Sequence, residues 1–365
     1  MRINRPLFLI LAFGTILILG LIPGCDELVT NETNTEVNRQ DSLCINCHSS
    51  TGLTAADVYD QWIVSGHASG RLADTSLMTQ DIRDCGAECH FSRPFIQSLG
   101  QDEAHFNGQP SEIRCYACHS IHTEWDYSLR TTTAITLVGG SPYNYGNSNL
   151  CAQCHHALVD KEDLIDDSTI IETNYINGWD TLMTHGMGEA DMIIGEGGFE
   201  HSFDSVTWDW SSSHSHITSD SRQCINCHQE KVIDYDLGGH SLHIVSGSDV
   251  LTSACNISDC HVGTPAAVSA QTIASGQALI ETRLSDLKSS LSKLGLVNLE
   301  TGLPDTTILI TDSNITGALY NYYYILNDKS RGMHDFVYDT LLLRASIDYL
   351  AGSLPPPKIN VNTGE

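Results

Sequence analysis

Long apolar periodicity is confined to the two ends of this 365-residue chain. At the start, Leu7 to Ile22 is an apolar run broken only by Gly14, Thr15 and Gly20. Towards the end, Ile280, Leu284, Leu287, Leu291 and Leu294 recur at alternating four- and three-residue steps, which lays one apolar stripe along a helix predicted over 266–296. Glu281, Asp286, Lys288 and Lys293 are available for its wet faces. Asn314 is predicted to cap a second helix with Ile315, Leu319, Tyr322 and Leu326 on one face, and Gly332 marks the break after it. Asp335 is predicted to cap a third, through Tyr338, Leu342, Ala345 and Tyr349. Residues 306–311 read as a short strand, and the tyrosines at 320 and 322–324 as core packing rather than an electron relay.

Between these ends the pattern is different. From Cys44 to His155, short runs are separated by Gly, Ser, Thr and Asn, so short helices joined by irregular connections are predicted. Asp57 to Val64 is one helical candidate and leads into Ser65-Gly66-His67. The following stretch, to Gln223, holds His185, His201, His214 and His216 together with Gly195-Glu196-Gly197-Gly198. Composition alone makes it a surface insertion; four histidines make it a supplier of metal ligands.

The cysteines give the irregular region a reason to fold. Cys44-Ile45-Asn46-Cys47-His48, Cys115-Tyr116-Ala117-Cys118-His119, Cys151-Ala152-Gln153-Cys154-His155 and Cys224-Ile225-Asn226-Cys227-His228 share one spacing. That spacing is the attachment pattern of c-type haem: two thiols add to the porphyrin vinyl groups, and the next imidazole becomes the proximal iron ligand. Two stretched versions, with three and four intervening residues, run from Cys85 to Cys89-His90 and from Cys255 to Cys260-His261. The six motifs use twelve of the thirteen cysteines. Zinc or disulfides would explain paired cysteines, but neither requires a histidine after every second thiol. Six covalently attached haem c groups are therefore expected, with the porphyrins providing most of the apolar core.

Six irons with proximal His48, His90, His119, His155, His228 and His261 leave eleven of the seventeen histidines for the opposite faces. A distal imidazole must stand over a flat ring, which favours small neighbours on the chain. Ser65-Gly66-His67, His185 beside Gly186, Ser212-Ser213-His214 and Gly238-Gly239-His240 meet that condition. His122 follows closely on its own motif and is expected to reach a neighbouring haem, and His334 stands at the foot of the last helix. His105, His156, His216 and His243 are reserves. Bis-histidine ligation would leave lower potentials than histidine–methionine ligation.

The ends and the charge place the chain. Arg2 and Arg5 precede the first apolar run, which is short for a membrane span, and Leu21-Ile22-Pro23-Gly24-Cys25 follows; residues 1–24 read as an export signal. A small residue before Cys25 resembles a bacterial lipobox, making Cys25 the site of lipidation, with 25–42 a disordered tether. The expected order is then a four-haem region (43–156), a connecting segment (157–223), a two-haem region (224–263), a helical section (264–352) and a disordered tail (353–365). The net charge of −27 excludes nucleic acid as an electrostatic partner and favours basic docking surfaces on other redox proteins.

Several stretches resemble multihaem c-type cytochromes of bacteria and archaea, with a hexahaem complement here: THGMGEADMIIGEGGFE at 184–200, the Ser-His pair after it, GGHS at 238–241, the four-residue-loop motif at 255–261, and ALYNYYYILNDKSRGMHDFVYDTLLLRAS at 318–346. The last is also similar to the C-terminal segment of pentahaem nitrite reductase relatives. The resemblance implies distal roles for His185, His214, His240 and His334. This chain has no C-x-x-C-Lys motif, so that enzyme's lysine-ligated open haem is not implied. The expected fold is a multihaem cytochrome c, mainly α-helical and irregular, with a haem-organised core, little strand and a helical C-terminal section. The expected function is non-enzymatic electron transfer in the cell envelope, for anaerobic or extracellular respiration. Its partners would be cytochromes, a quinol-oxidising complex or a terminal reductase, with a lipid anchor on an outer-membrane, periplasmic or cell-surface side. The alternatives are a homo-polymeric extracellular filament, and a reductase of a small nitrogen or sulfur compound with one open haem.

Overall fold

The structure, a computed structural model, describes residues 55–68, 87–101, 112–120, 127–165, 171–172, 188–201, 214, 223–230, 236–257, 260–261, 267–304, 308–310, 312–352 and 360–361. The described residues are mainly helical and irregular, with little strand. The expected export signal, Cys25, the expected tether and the first cysteine motif lie outside them, as do Cys85, His122 and His185.

Helix α1 (Ala55–Ile63) starts two residues before the expected position and ends one before it. It stops where Ser65 N–H donates to the Trp62 carbonyl (2.9 Å), and the turn carries His67. The helices at and between the motifs are short, of four to seven residues: α2 (Ala87–His90), α3 (Ser92–Ser98), α4 (Cys115–Cys118), α5 (Asn149–Ala152), α6 (Lys161–Leu164), α7 (Glu189–Ile193) and α8 (Gln223–His228). Such short helices gain little from backbone bonding alone and depend on what they pack against. Two-stranded antiparallel hairpins, β1 (Ile135–Thr136) with β2 (Pro142–Tyr143) and β4 (Val245–Ser246) with β5 (Asp249–Val250), turn the chain between them. A three-stranded patch is made by β3 (Ile171–Glu172), β6 (Ile308–Ile310) and β7 (Asn360–Val361), with β6 central. The tail read as wholly disordered thus contributes a strand, because β6 offers it an open edge.

The apolar core is concentrated in the C-terminal section. Helix α9 (Ala270–Lys293) begins where Ser269 and Thr272 form a reciprocal capping box, and it buries Ile280, Leu284, Leu287 and Leu291 as its period requires; Leu294 is partly buried. Each fully buried aliphatic side chain contributes roughly 1.5–3 kcal/mol relative to exposure.

The cap of α10 (Ser313–Asp328) is Asp312, not Asn314: its carboxylate accepts from the N–H groups of Asn314 (2.9 Å) and Ile315 (3.2 Å). Helix α10 is buried on all sides from Ile315 to Ile325, whereas Leu326, placed on the apolar face by the sequence, is exposed. Its neighbours are α9 on one side, α11 (Phe336–Gly352) on another, and residues 188–201 on a third. Asp335 caps α11 as expected, accepting from Tyr338 N–H at 3.0 Å.

Residues 188–201 are core, not a surface insertion. A Cβ at Gly197 would lie 2.4 Å from the Tyr324 hydroxyl, and one at Gly198 2.3 Å from a Leu342 methyl. The phenols of Tyr320 and Tyr324 donate to the Gly197 (2.9 Å) and Glu196 (2.8 Å) carbonyls, so the tyrosines are packed and satisfied.

Candidate metal centres

Among the described residues, the chain brings a motif histidine and a non-motif histidine opposite each other in three places. The ring centres of His67 and His155 are 6.1 Å apart, those of His119 and His240 6.3 Å, and those of His228 and His334 6.3 Å. An imidazole nitrogen lies roughly 2.0–2.1 Å from a first-row metal and about 1.1 Å from its own ring centre, so imidazoles on opposite faces of one iron have centres about 6.3 Å apart. All three pairs have the spacing of two axial ligands.

The ring orientations fit the same role. His119 Nδ1 contacts the Tyr127 carbonyl at 2.9 Å and His228 Nδ1 the Leu242 carbonyl at 2.8 Å. His334 Nδ1 meets the Asp328 carboxylate at 2.5 Å, and His155 Nδ1 lies 3.4 Å from that of Glu189. Engaging Nδ1 in this way fixes the tautomer and leaves Nε2 for a metal.

Different local devices position each ring. His67 hangs from the turn after α1. The same helix sends Gln61 to accept from His240 N–H at 3.0 Å, and a Cβ at Gly239 (φ +51°) would come 2.3 Å from that Gln61 oxygen. Only glycine fits there, and α1 consequently positions both His67 and His240. His334 is held between α10 and α11, its N–H donating to Ser330 Oγ at 3.2 Å.

The motifs also touch one another. The thiol of Cys154 lies beside that of Cys89, and that of Cys151 beside that of Cys224. Cys118 lies within electrostatic reach of Cys151 and Cys154, and Cys227 of Cys255 and Cys260. The motif of His155 is therefore central, flanked by those of His90, His119 and His228, with that of His261 beyond the last. None of the nine described cysteines is in a disulfide, and among the described residues no three or more His, Cys, Asp or Glu side chains are grouped as a metal cluster would need.

No family model and no curated protein matches this chain. Among solved structures it is similar to two cytochromes. Against the outer cell wall cytochrome OcwA the identity is 19%, over 80% of this chain and 50% of that one, with a TM-score of 0.46. Against the undecahaem cytochrome from the S-layer of Carboxydothermus ferrireducens the identity is 16%, over 86% and 46%, with a TM-score of 0.41. The chain spans about half the length of each.

Of the other expected distal ligands, His214 lies with Nδ1 3.4 Å from the His334 carbonyl and within electrostatic reach of His261. His90 is buried at the end of α2. The reserves His156 and His243 turn Nδ1 to the carbonyls of Ala157 (2.7 Å) and Asp236 (3.2 Å), and neither belongs to a ring pair among the described residues. His201, counted in the ligand-supplying stretch, is structural: it is fully buried, with Nδ1 3.2 Å from Asn314 Oδ1 and Nε2 3.1 Å from Ser346 Oγ.

Burial, with His155 next in effect, pushes His67 down to about 4; burial and then His119 lower His240; burial lowers His228. These rings are neutral near pH 7, the state a metal requires. Burial also works against the charged forms of His155 and His334, but Glu189 raises the former and Asp328 lifts the latter to about 9. Sequence reasoning missed both carboxylates. Asp328, six residues before His334, is within one loop of it, and that proximity is the signal that was available.

Proposed function

We propose that this chain is an exported multihaem c-type cytochrome that carries electrons along a series of bis-histidine haems in the cell envelope. The observation that supports it best is the 6.1–6.3 Å spacing of three histidine pairs, each joining a haem-motif histidine to one from elsewhere in the chain. Bound haem would supply a one-electron iron couple. The residues supply everything else: thiols to anchor each porphyrin edge, imidazoles to close both faces of the iron, and motif-to-motif contacts that keep neighbouring groups close. With both faces closed, a site has no place for a substrate, so the reading is a carrier and not an enzyme.

In the full reading, six haems are held by the twelve motif cysteines, with proximal and distal histidines as assigned above and His122 and His185 completing the set. Cys25 anchors the chain by lipid, and the acidic surface docks basic patches of other cytochromes, a quinol-oxidising complex or a terminal reductase. Low-temperature EPR of the oxidised protein, with optical spectra of the reduced form before and after carbon monoxide, tests this. Low-spin iron throughout and no carbon monoxide complex is expected. A high-spin iron that binds carbon monoxide would replace the carrier reading with that of a reductase; ordered polymers of purified protein would replace the single carrier with a filament.

A further inference from the structure

The Nδ1 partners of the paired histidines differ in charge, and the difference follows the spatial order of the motifs. His119 and His228 each face a neutral backbone carbonyl. His155 faces Glu189 at 3.4 Å, and His334 faces Asp328 at 2.5 Å. The Asp328 side chain is 1% exposed against 23% for Glu189, so water screens it far less. Its second oxygen accepts from Ser330 N–H at 3.2 Å and from the Ser330 hydroxyl, which locks the carboxylate in place.

Backbone strain is concentrated around the same pair. Lys329, Arg331 and Leu242 are the non-glycine residues with positive φ among the described residues, at 59°, 54° and 61°. The first two lie in the turn that folds Asp328 back onto His334, and the third carries the carbonyl that holds His228. Such conformations cost on the order of 1–3 kcal/mol each and persist where the surroundings over-determine them.

We propose that Asp328 tunes the iron held between His228 and His334, making this haem the last of the three ring-paired haems to be reduced. This deepens the cytochrome reading above and rests on it. A carboxylate that draws on the Nδ1 proton makes the imidazole a stronger donor at Nε2, and its fixed negative charge favours the ferric over the ferrous state. Each step moves one electron: one ferric iron is reduced, its donor is oxidised, and no proton or leaving group moves. Glu189, longer in reach and wetter, gives the haem of His67 and His155 an intermediate place. The haem of His119 and His240 is reduced first. The motif cysteines are arranged in the same order, from the motif of His228 through that of His155 to that of His119, so electrons pass downhill along it.

The test is a potentiometric titration of the fully loaded protein, followed optically and by EPR. In Asp328→Asn one midpoint rises by at least a tenfold change in the reduction equilibrium, which is 59 mV for one electron, while the other haems stay in place and all remain low-spin. Glu189→Gln gives a smaller rise at a different haem, and Asp328→Glu restores the native value. Unmoved midpoints in a fully loaded Asp328→Asn protein overturn the proposal. If that variant does not load haem, Ser330→Ala is read in its place, since it removes the hydroxyl that holds the carboxylate, together with the His334 N–H contact, and keeps both imidazoles and the charge: a rise with all signals still low-spin supports the proposal, and unchanged midpoints overturn it. Failure of the cytochrome reading is distinguishable, because the wild-type spectrum would then lack bis-histidine haem.

Discussion

His228 and His334 stand with ring centres 6.3 Å apart, although one ends a haem motif and the other sits between the last two helices. The pairing brings the helical section and the region of Cys224–His228 together at one candidate iron site. On the proposed reading, replacing His334 with Ala removes one axial ligand and leaves its partner in place. One iron per chain is then expected to become high-spin and to bind one carbon monoxide on reduction, with the others unchanged. Carbon monoxide titration of the reduced variant measures this directly.

The three pairs differ in how their rings cross: 62° for His67 with His155, against 36° for His119 with His240 and 43° for His228 with His334. Rings nearer to perpendicular leave two ferric d orbitals closer in energy, which raises the largest g value of a low-spin signal. Among the signals of these three sites, the His67→Ala variant should lose the one with the largest g value. Loss of either smaller one would mean that the rings rotate when iron binds.

The cysteine motifs and the histidine after each were legible because the pattern repeats the same residue types at short spacing. His67, His240 and His334 were legible through their small or turn-forming neighbours, and the structure brings each to a motif histidine. The pairing itself was not legible, since it depends on α1 packing against the turn of 239–241 and on the fold of the helical section. Helix α9 was readable because one face is wet. The immediate face of α10 was not, because the helix is buried all round between Ile315 and Ile325, Thr316 and Asn321 included, and its period marks no wet face. The glycines at 197 and 198 looked like a loop for the same reason that they are core: the aromatic rings lying against them come from residues more than a hundred positions away.

His201 and Asp191 should give opposite acid responses. Burial, opposed by Asn314 and Asp312, pushes His201 down to about 4 from the ordinary 6.5. The unfolded chain therefore binds the extra proton between those values, and stability falls as pH drops from 6.5 to 4. Burial, opposed by the Ala157 N–H, raises Asp191 to about 6 from 3.8, so the folded chain holds the extra proton there and stability rises on acidification. Between pH 6 and 4 the two slopes nearly cancel in the native protein. Relative to wild type, Asp191→Asn should lose roughly 1 kcal/mol for each pH unit of acidification in that window, and His201→Gln should gain about as much. Denaturant titrations of the three proteins at pH 6, 5 and 4 would decide it; parallel pH profiles would show that neither group shifts on folding.

Gly317 inverts a common expectation for helix interiors. Glycine in mid-helix costs roughly 0.5–1 kcal/mol relative to alanine, so Gly317→Ala would ordinarily stabilise α10. Here a Cβ would lie 2.0 Å from the Phe199 ring, on a helix that is buried all round. The ring cannot retreat cheaply: Phe199 N–H donates to Asn321 Oδ1 at 2.7 Å, and Asn321 Nδ2 donates to the Phe199 carbonyl at 2.8 Å. Overpacking of that kind costs typically about 1–3 kcal/mol, which outweighs the propensity gain. Gly317→Ala should therefore lower the stability of the helical section by roughly 1–2 kcal/mol. The double variant Gly317→Ala with Phe199→Leu should recover part of the loss, since the smaller side chain vacates the space. Equilibrium unfolding followed by far-ultraviolet circular dichroism measures both, and a stabilised single variant would mean that residues 188–201 yield more readily than their hydrogen bonds to α10 imply.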